Sequence, residues 1–406
     1  MKVLVISHMY PSQEIPVSGI FVRKQTEALV GAGVEAVVIN PVPWAPFFLR
    51  WHPRWRRYAN ALRREENRGG TVLRPRYVEF PKGFLFASTP GRYYRGMAPT
   101  LRNLLKEWRP DIIHAHVAFP DGAAAVRFGE EYGIPVVVTV HGMDFLATLK
   151  RGPACERCVK QTLVKADRVI LVSEVLRENF GLEQWIDDVK KCRVIYNGVH
   201  LDDVITSKQV DVSGDGSRFA PVLLTVGNLT PKKGQAYVLK ALPALLEHFP
   251  HLIYKIVGDG EERSKLEHLA DELEVREHVS FLGALSHQEA MREMADCDVM
   301  VMPSWDEGFG IVYLEAMAHG KPVIGTQGEG AAGLIEKEDV GLTVPAGDAA
   351  AIARASNRIL SSRELACAMG QRGQEIVSQQ LTWNHNAERT MDLYQDVLKD
   401  YKREYS

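Results

Sequence analysis

The chain has 406 residues, 46% of them hydrophobic and 25% charged, with a formal net charge of −2. That length suits two domains rather than one, and the near-neutral balance supplies no global field that would favour nucleic acid. Apolar runs stop well short of a membrane span, five cysteines are too few and too odd for a disulfide framework, and MKVLVISHMYPS reads as a buried strand and turn without the cleavage pattern of a secretory leader. The expectation is a cytoplasmic protein, with peripheral attachment at the inner face of the cell membrane left open.

Residues 2–7 read as the first strand, and SGIFVRKQTEALVGAG as an amphipathic helix. In it Phe21, Ala28 and Leu29 recur at helical spacing, and Gly31 and Gly33 end it. Glu35 to Asn40 is the second strand. The start is Rossmann-like but lacks G-x-G-x-x-G, so no dinucleotide cofactor is expected.

Residues 41–66 break the alternation. Trp44, Phe47, Phe48, Trp51, Trp55 and Tyr58 interleave with Arg50, Arg54, Arg56 and Arg57, and Arg92-Tyr93-Tyr94-Arg95 is a second such run. Basic-aromatic segments suit an anionic membrane surface, reached through 44–58, or a lipid-diphosphate acceptor. Nucleic acid lacks a supporting fold motif. The alternative is an insertion whose aromatics pack on the N-terminal domain while its arginines point to water. Both readings stand.

PDIIHAH (110–116) is a strand with His114 and His116 on one side, read as structural, with His116 the nearer to an acceptor contact. PVVVTVHGMDF (135–145) is the next strand. His141 lies just past its end, where open α/β sheets place ligands. Cys155 and Cys158 form a C-x-x-C placed in a loop. Zinc needs four ligands, so free thiols are the favoured reading over a metal clip. Strands follow at 166–173 and 192–199, and polar residues 201–218 are the expected interdomain linker.

The second half opens with the strand PVLLTVGNL (221–229). Lys232 and Lys233 then precede a helix start, where a lysine clamps an anion. After the next strand, Gly258 and Gly260 let a backbone approach a ligand. Asp296-Cys297-Asp298 is a D-x-D spacing that arises by chance too often to be read as a metal site, and no metal is expected. Asp298 to Met302 is a buried strand, the turn 303–310 follows, and a helix begins at about Ile311. Amides at Gly308, Phe309 and Gly310 and the helix N-terminus suit an anion. Glu307 and Glu315 stand eight positions apart. A carboxylate among Leu314, Ala316 and Met317 is costly to bury, so Glu315 is expected to face a cleft. Trp383, Met391, Tyr394 and Leu398 mark a final amphipathic helix.

EGFGIVYLEAMAHGKPVI, with Glu307 and Glu315 as E-x7-E, resembles family 4 of the retaining glycosyltransferases of GT-B architecture, and the likeness extends over nearly the whole chain. It implies an α/β fold of two Rossmann-like domains facing a cleft. Residues 1–205, with a returning helix 382–406, would form the acceptor side, and 206–381 the donor side. It further implies transfer of a sugar from a UDP- or GDP-type nucleotide-diphosphate-sugar to a glycan, lipid-linked or small-molecule acceptor, without a cofactor. His141 matches the histidine against the transferred sugar, and Gly19 a glycine of the donor loop. Gly227, Leu229, Lys233 and Gly234 match G-R-L-x3-K-G, with Asn228 in place of its arginine; Lys232 is a candidate to compensate. Leu282 and Gly283 match the loop that contacts the base. Gly328-Glu329-Gly330 departs from the usual G-G-x-x-E, and Gly333 stands where a glutamate is often found.

The resemblance gives Glu315 to the ribose hydroxyls and Glu307 to the sugar. Lys233, Gly19 and the amides at Gly308, Phe309, Gly310 and Ile311 go to the diphosphate. YPSQEIPVSGIFVRKQTEAL and the G-E-G turn look most like enzymes of bacterial teichuronic-acid, capsule or exopolysaccharide assembly. The alternatives are a glycosyl phosphorylase or nucleotide-sugar epimerase on the same fold, or a non-catalytic binding subunit of a polysaccharide assembly complex.

Overall fold

The computed structural model describes residues 1–405 except 17, 81, 82, 143, 180, 183, 184, 187–190 and 206–219. Two compact units emerge, Met1–Asn197 with Trp383–Ser406, and Gly198–Thr382. The expected linker, 201–218, lies outside the described residues from 206 onward. Its start is tied into the second unit: His287 Nε2 lies 3.0 Å from Asp203 Oδ2, and the Ile205 N–H donates to His319 Nε2 at 3.1 Å.

The first unit is built on strands β1 (Lys2–Ile6), β2 (Glu35–Ile39), β3 (Val42–Pro43), β4 (Arg64–Asn67), β5 (Gly70–Leu73), β6 (Arg76–Tyr77), β7 (Ile112–His116), β8 (Val136–Val140), β9 (Arg168–Leu171) and β10 (Cys192–Val194). Eight of them form one sheet in the order β10-β9-β8-β7-β1-β2-β5-β4, while β3 and β6 pair separately. All pairs are parallel except β4–β5. Its central strands are covered on both faces, which explains continuous apolar runs such as VVVTV where alternation would mark a half-exposed strand. The helix Trp383–Tyr405 belongs to this unit. Gln25 donates to Asn386 Oδ1 at 2.7 Å, Asn386 Nδ2 donates to the Tyr196 carbonyl at 2.8 Å, and Tyr394 is fully buried.

The second unit carries β11 (Val222–Val226), β12 (Ile253–Val257), β13 (Val279–Gly283), β14 (Val299–Val301), β15 (Val323–Thr326) and β16 (Gly341–Val344), all parallel, in the order β13-β12-β11-β14-β15-β16. Its core joins Leu223, Ile256, Val299 and Val301 of the sheet to Val238, Leu242, Ile352 and Ile359 of the covering helices. In both units the chain order reverses beside the first strand, which opens a crevice at the carboxyl ends of the strands.

Two expectations need correction. Cys155 and Cys158 are not in a loop but on the helix Pro153–Lys165. Pro153 fits its first turn, and Cys155, Val159, Thr162 and Leu163 supply a buried stripe that the C-x-x-C spacing masked. Both are free thiols, and burial pushes each thiol pKa up. The packed-insertion reading of 41–66 fails for its first half: Phe47 is 83% exposed, Trp51 77%, Phe48 61% and Trp44 53%. Only Trp55 and Tyr58 are half-buried. No described helix is long and apolar enough to cross a membrane.

Candidate active site

In the second unit the candidate residues gather at the carboxyl ends of β11, β12, β13 and β14. After β11 the chain makes a tight turn, Pro231–Lys233, before the helix Gln235–Leu246. After β14 it runs through 302–310 into the helix Ile311–Ala318, which has no side-chain cap at Gly310. The two loops are laced together, since the Trp305 N–H donates to the Lys232 carbonyl at 2.9 Å. Lys233 Nζ and Glu307 Oε2 form a direct ion pair, each side chain about one-fifth exposed. Two of the three catalytic candidates therefore touch.

Glu307 is held from its other side as well. Its N–H donates to Glu329 Oε2 at 3.1 Å, and its carbonyl accepts from the Gly330 N–H at 3.1 Å. The G-E-G turn that departs from the family pattern thus fixes the Glu307 loop. Sequence reading noted the departure but assigned Glu329 no role, because nothing local links two loops 22 residues apart.

Glu315 is half-buried on the helix Ile311–Ala318, as expected of a carboxylate that must stay solvated. Gly308 and Phe309 are buried, with Gly310 and Ile311 half-buried beside them. The Gly258 N–H donates to the Gly283 carbonyl at 2.8 Å, which brings the loops after β12 and β13 together, with Leu282 half-buried next to them. The Asn228 side chain is exposed, and its carbonyl accepts from the Thr230 N–H and Gln235 Nε2. Asp298 of the D-x-D accepts the Val222 N–H at 2.7 Å, so that carboxylate is committed to the fold. Thr230 Oγ1 and Thr326 Oγ1 are buried beside these loops without a hydrogen-bond partner among the described residues.

In the first unit His141 follows β8 and is half-buried. Its Nε2 lies 3.0 Å from His116 Nδ1, with the rings stacked at 17°. The chain continues inward. His114 and His116 rings are 4.4 Å apart, and His114 Nε2 and Nδ1 meet Thr139 Oγ1 at 2.7 Å and Tyr394 Oη at 2.6 Å. Burial holds all three histidines below the usual imidazole pKa, His114 at about 3, with His114 adding to the shift of the other two. The row is neutral near pH 7. His116, read from sequence as structural, is a hydrogen-bond partner of the candidate catalytic histidine. Gly19 precedes the helix Ile20–Gly31 at φ 66°, where a Cβ would fall 2.2 Å from the Met9 carbonyl oxygen, so only glycine fits. Phe21 then packs 4.6 Å from His141.

A cavity of about 430 Å³ lies at the carboxyl ends of β1, β2, β7 and β8, lined by His8, Asn40, Val117 and Asp144 among others. Asp144 is 1% exposed. Its Oδ1 accepts the Ala118 and Phe119 N–H groups at 2.5 and 3.2 Å, while Oδ2 has no partner among the described residues. Burial raises its pKa to about 7. His8 Nδ1 sits 2.5 Å from Asp121 Oδ2. Burial opposes its charge, but Asp121 outweighs that and raises its pKa. Sequence reading missed both, although Asp144 stands only three positions past His141.

Two family models match the chain. "Glycosyltransferase Family 4" covers residues 18–203 and "Glycosyl transferases group 1" covers 218–376. The chain is 27% identical over 404 residues to the putative teichuronic acid biosynthesis glycosyltransferase TuaC of Bacillus subtilis, spanning 98% of this chain and 99% of that one. It is also 27% identical over 316 residues to the N-acetyl-alpha-D-glucosaminyl L-malate synthase of Bacillus anthracis, spanning 76% and 81%. Among solved structures, sucrose-phosphate synthase from Thermosynechococcus elongatus shares the fold at a TM-score of 0.78 and 23% identity, over 98% of this chain and 100% of that one. Between them the two models account for both units, and the chain belongs to the glycosyltransferases of GT-B fold that they describe.

Proposed function

We propose that the chain transfers a hexose, with retention of anomeric configuration and without a metal ion, from a UDP- or GDP-type nucleotide-sugar. The acceptor is a glycan or lipid-linked saccharide in cell-surface polysaccharide or glycoconjugate synthesis, and the enzyme works on the cytoplasmic side with residues 44–58 against an anionic membrane. The observation that carries the reading is the Lys233–Glu307 pair set beside the uncapped helix that starts at Ile311. Breaking a glycosidic bond builds negative charge on the leaving diphosphate and positive charge on the sugar ring. Lys233 and the helix N-terminus offer the first charge a partner, and Glu307 the second, in one half-buried place.

In this scheme Glu315 takes both ribose hydroxyls, each charge-assisted bond contributing about 1.5–3 kcal/mol. Gly258, Leu282 and Gly283 border the base, and Glu329 holds Glu307 in position. His141, neutral and oriented by His116, donates or accepts a hydrogen bond at the sugar. No covalent nucleophile is assigned; the incoming hydroxyl attacks from the face the diphosphate leaves. Support for the donor class comes from Anabaena HepE, solved with UDP and glucose, whose chain shares this fold at a TM-score of 0.69 and 20% identity, over 98% of this chain and 100% of that one. TuaC's putative role in teichuronic acid biosynthesis supports the pathway class.

The test is calorimetry with a panel of nucleotide-sugars on the wild type, Lys233→Ala and Glu315→Ala. Loss of roughly tenfold or more in donor affinity is expected for each variant, as two charge-assisted bonds imply. Unchanged affinity in both sinks the assignment. Product analysis by NMR in the presence of a chelator then reads retention and metal independence directly.

A further inference from the structure

The helix Trp383–Tyr405 buries a polar stripe that packing alone does not require. Asn386, Thr390 and Tyr394 recur every fourth residue, so they share one face, and all three are buried. Burying a polar group costs free energy unless it is bonded, and an apolar side chain of similar shape fills the space without that cost. Asn386 and Thr390 meet Gln25 of the helix Ile20–Gly31. Tyr394 reaches a different partner. Its hydroxyl lies 2.6 Å from His114 Nδ1, and among the described residues it has no other hydrogen-bond partner. His114 Nε2 is 2.7 Å from Thr139 Oγ1 on β8, two residues before His141. The His114 ring is thus pinned at both nitrogens, with the Tyr394 ring edge-on to it at 5.7 Å and 80°.

Orientation passes outward from there. The His116 ring contacts both neighbours, 4.4 Å from His114 and 5.3 Å from His141 between centroids. Rings packed this closely leave His116 little room to turn independently of His114. Its Nδ1 then meets His141 Nε2 at 3.0 Å. A neutral imidazole carries one N–H, so the proton placed in that contact decides whether the other nitrogen of His141 is a donor or an acceptor. We propose that Tyr394 is a positioning residue: through His114 and His116 it fixes the orientation and tautomer that His141 presents to the sugar. The role deepens the transferase reading above and rests on it. It gives the returning helix a part in catalysis without any contact with substrate.

The experiment uses the full chain labelled with nitrogen-15. Histidine ring nitrogens are read by long-range proton–nitrogen correlation and assigned by their loss in His116→Gln and His141→Gln. Tyr394→Phe deletes only the hydroxyl. Val397→Ala opens a gap at a buried position of the same helix, makes none of the bonds above and serves as the packing control. Thermal melting confirms folding. In the wild type His116 and His141 are each expected in one neutral tautomer. Tyr394→Phe should move their ring nitrogens toward the average of the two tautomers and lower kcat about fivefold or more at unchanged donor KM. Val397→Ala should do neither. Thr139→Val frees the other nitrogen of His114 and should produce the same shift, so it decides the matter if Tyr394→Phe does not fold. Unmoved ring nitrogens in folded Tyr394→Phe, an unchanged kcat while they move, or equal kcat losses in Tyr394→Phe and Val397→Ala each overturn the proposal. A wild type that transfers no sugar overturns the transferase reading instead, and the nitrogen shifts still read the coupling from Tyr394 to His141, so the two failures are distinguishable.

Discussion

His114 shows how a fully buried titratable side chain sets the pH dependence of the first unit. It bridges Thr139 and Tyr394, and burial holds its pKa at about 3. The unfolded chain binds a proton at this residue below about pH 6.5, while the native one does not until about 3. Stability is therefore full above the unfolded value and falls as pH drops through that window. At pH 5 the loss is about 2 kcal/mol, from roughly one and a half units at 1.36 kcal/mol each. Urea unfolding at pH 7 and pH 5 checks this. The wild type should lose about 2 kcal/mol more over that interval than His114→Gln, which keeps hydrogen-bonding groups but does not titrate; equal losses refute it. The His116 link to His141 predicts a second effect. His116→Phe should lower kcat by about 10-fold or more with KM for the donor nearly unchanged, because it disturbs orientation rather than affinity. Parallel rises in KM would instead mark a packing fault. His141 was legible in the sequence because it stands just past a strand end. His116 was legible only as a strand residue, since its pairing depends on the register of β7 with β8, which places His116 opposite Thr139.

Loops rather than helices decide the fit of the donor unit, and their glycines show which contacts are fixed. Gly258 follows β12 at φ 138°, and a Cβ there would sit 2.0 Å from the Gly227 carbonyl oxygen. Backbone cannot give way as a side-chain tip can, so Gly258→Ala should destabilise the protein by about 2 kcal/mol or more and weaken nucleotide binding with it. Gly333, inside the helix Ala332–Lys337, has nothing within 4 Å of its Cβ position. Gly333→Ala should be neutral or stabilising by about 0.5–1 kcal/mol, as for alanine over glycine within a helix. Thermal unfolding of the two variants, read against wild type, distinguishes a required glycine from a tolerated one; a destabilised Gly333→Ala refutes the assignment. Strands and helices of this unit were legible because apolar runs and Gly/Pro punctuation repeat with clear period. The bond from the Glu307 N–H to Glu329 was not, because it joins two loops that only the sheet order brings side by side. The helix bearing Cys155 and Cys158 was misread for a related reason: its apolar stripe is short, and two cysteines at the start drew attention to metal spacing instead of periodicity.

On the whole molecule the net charge is near zero, yet it is unevenly spread. Residues 41–64 hold six arginines and no acid, and the same segment exposes Trp44, Phe47, Phe48 and Trp51. Local bonds keep this display in place: Arg50 Nε donates to the Ala45 carbonyl at 3.1 Å, and His52 Nδ1 accepts the Arg54 N–H at 3.3 Å. Aromatic rings turned to water at high exposure are unfavourable unless something covers them, and arginines among them select an anionic cover. Each basic residue near an anionic bilayer contributes about 1 kcal/mol, and that contribution fades within a Debye length. The expected result is sedimentation with phosphatidylcholine vesicles carrying phosphatidylglycerol, weak binding to phosphatidylcholine alone, and release by raised salt. Phe47→Ser/Phe48→Ser should cut binding about tenfold or more, and Arg56→Glu about fivefold or more, with nucleotide affinity untouched. Equal sedimentation on neutral and anionic vesicles would refute the electrostatic half of the argument. Undiminished binding of the phenylalanine variant would refute the apolar half. Tighter binding to single-stranded RNA than to either vesicle would replace the bilayer as the partner, because stacking on exposed rings and arginine contacts to phosphates serve that ligand equally well.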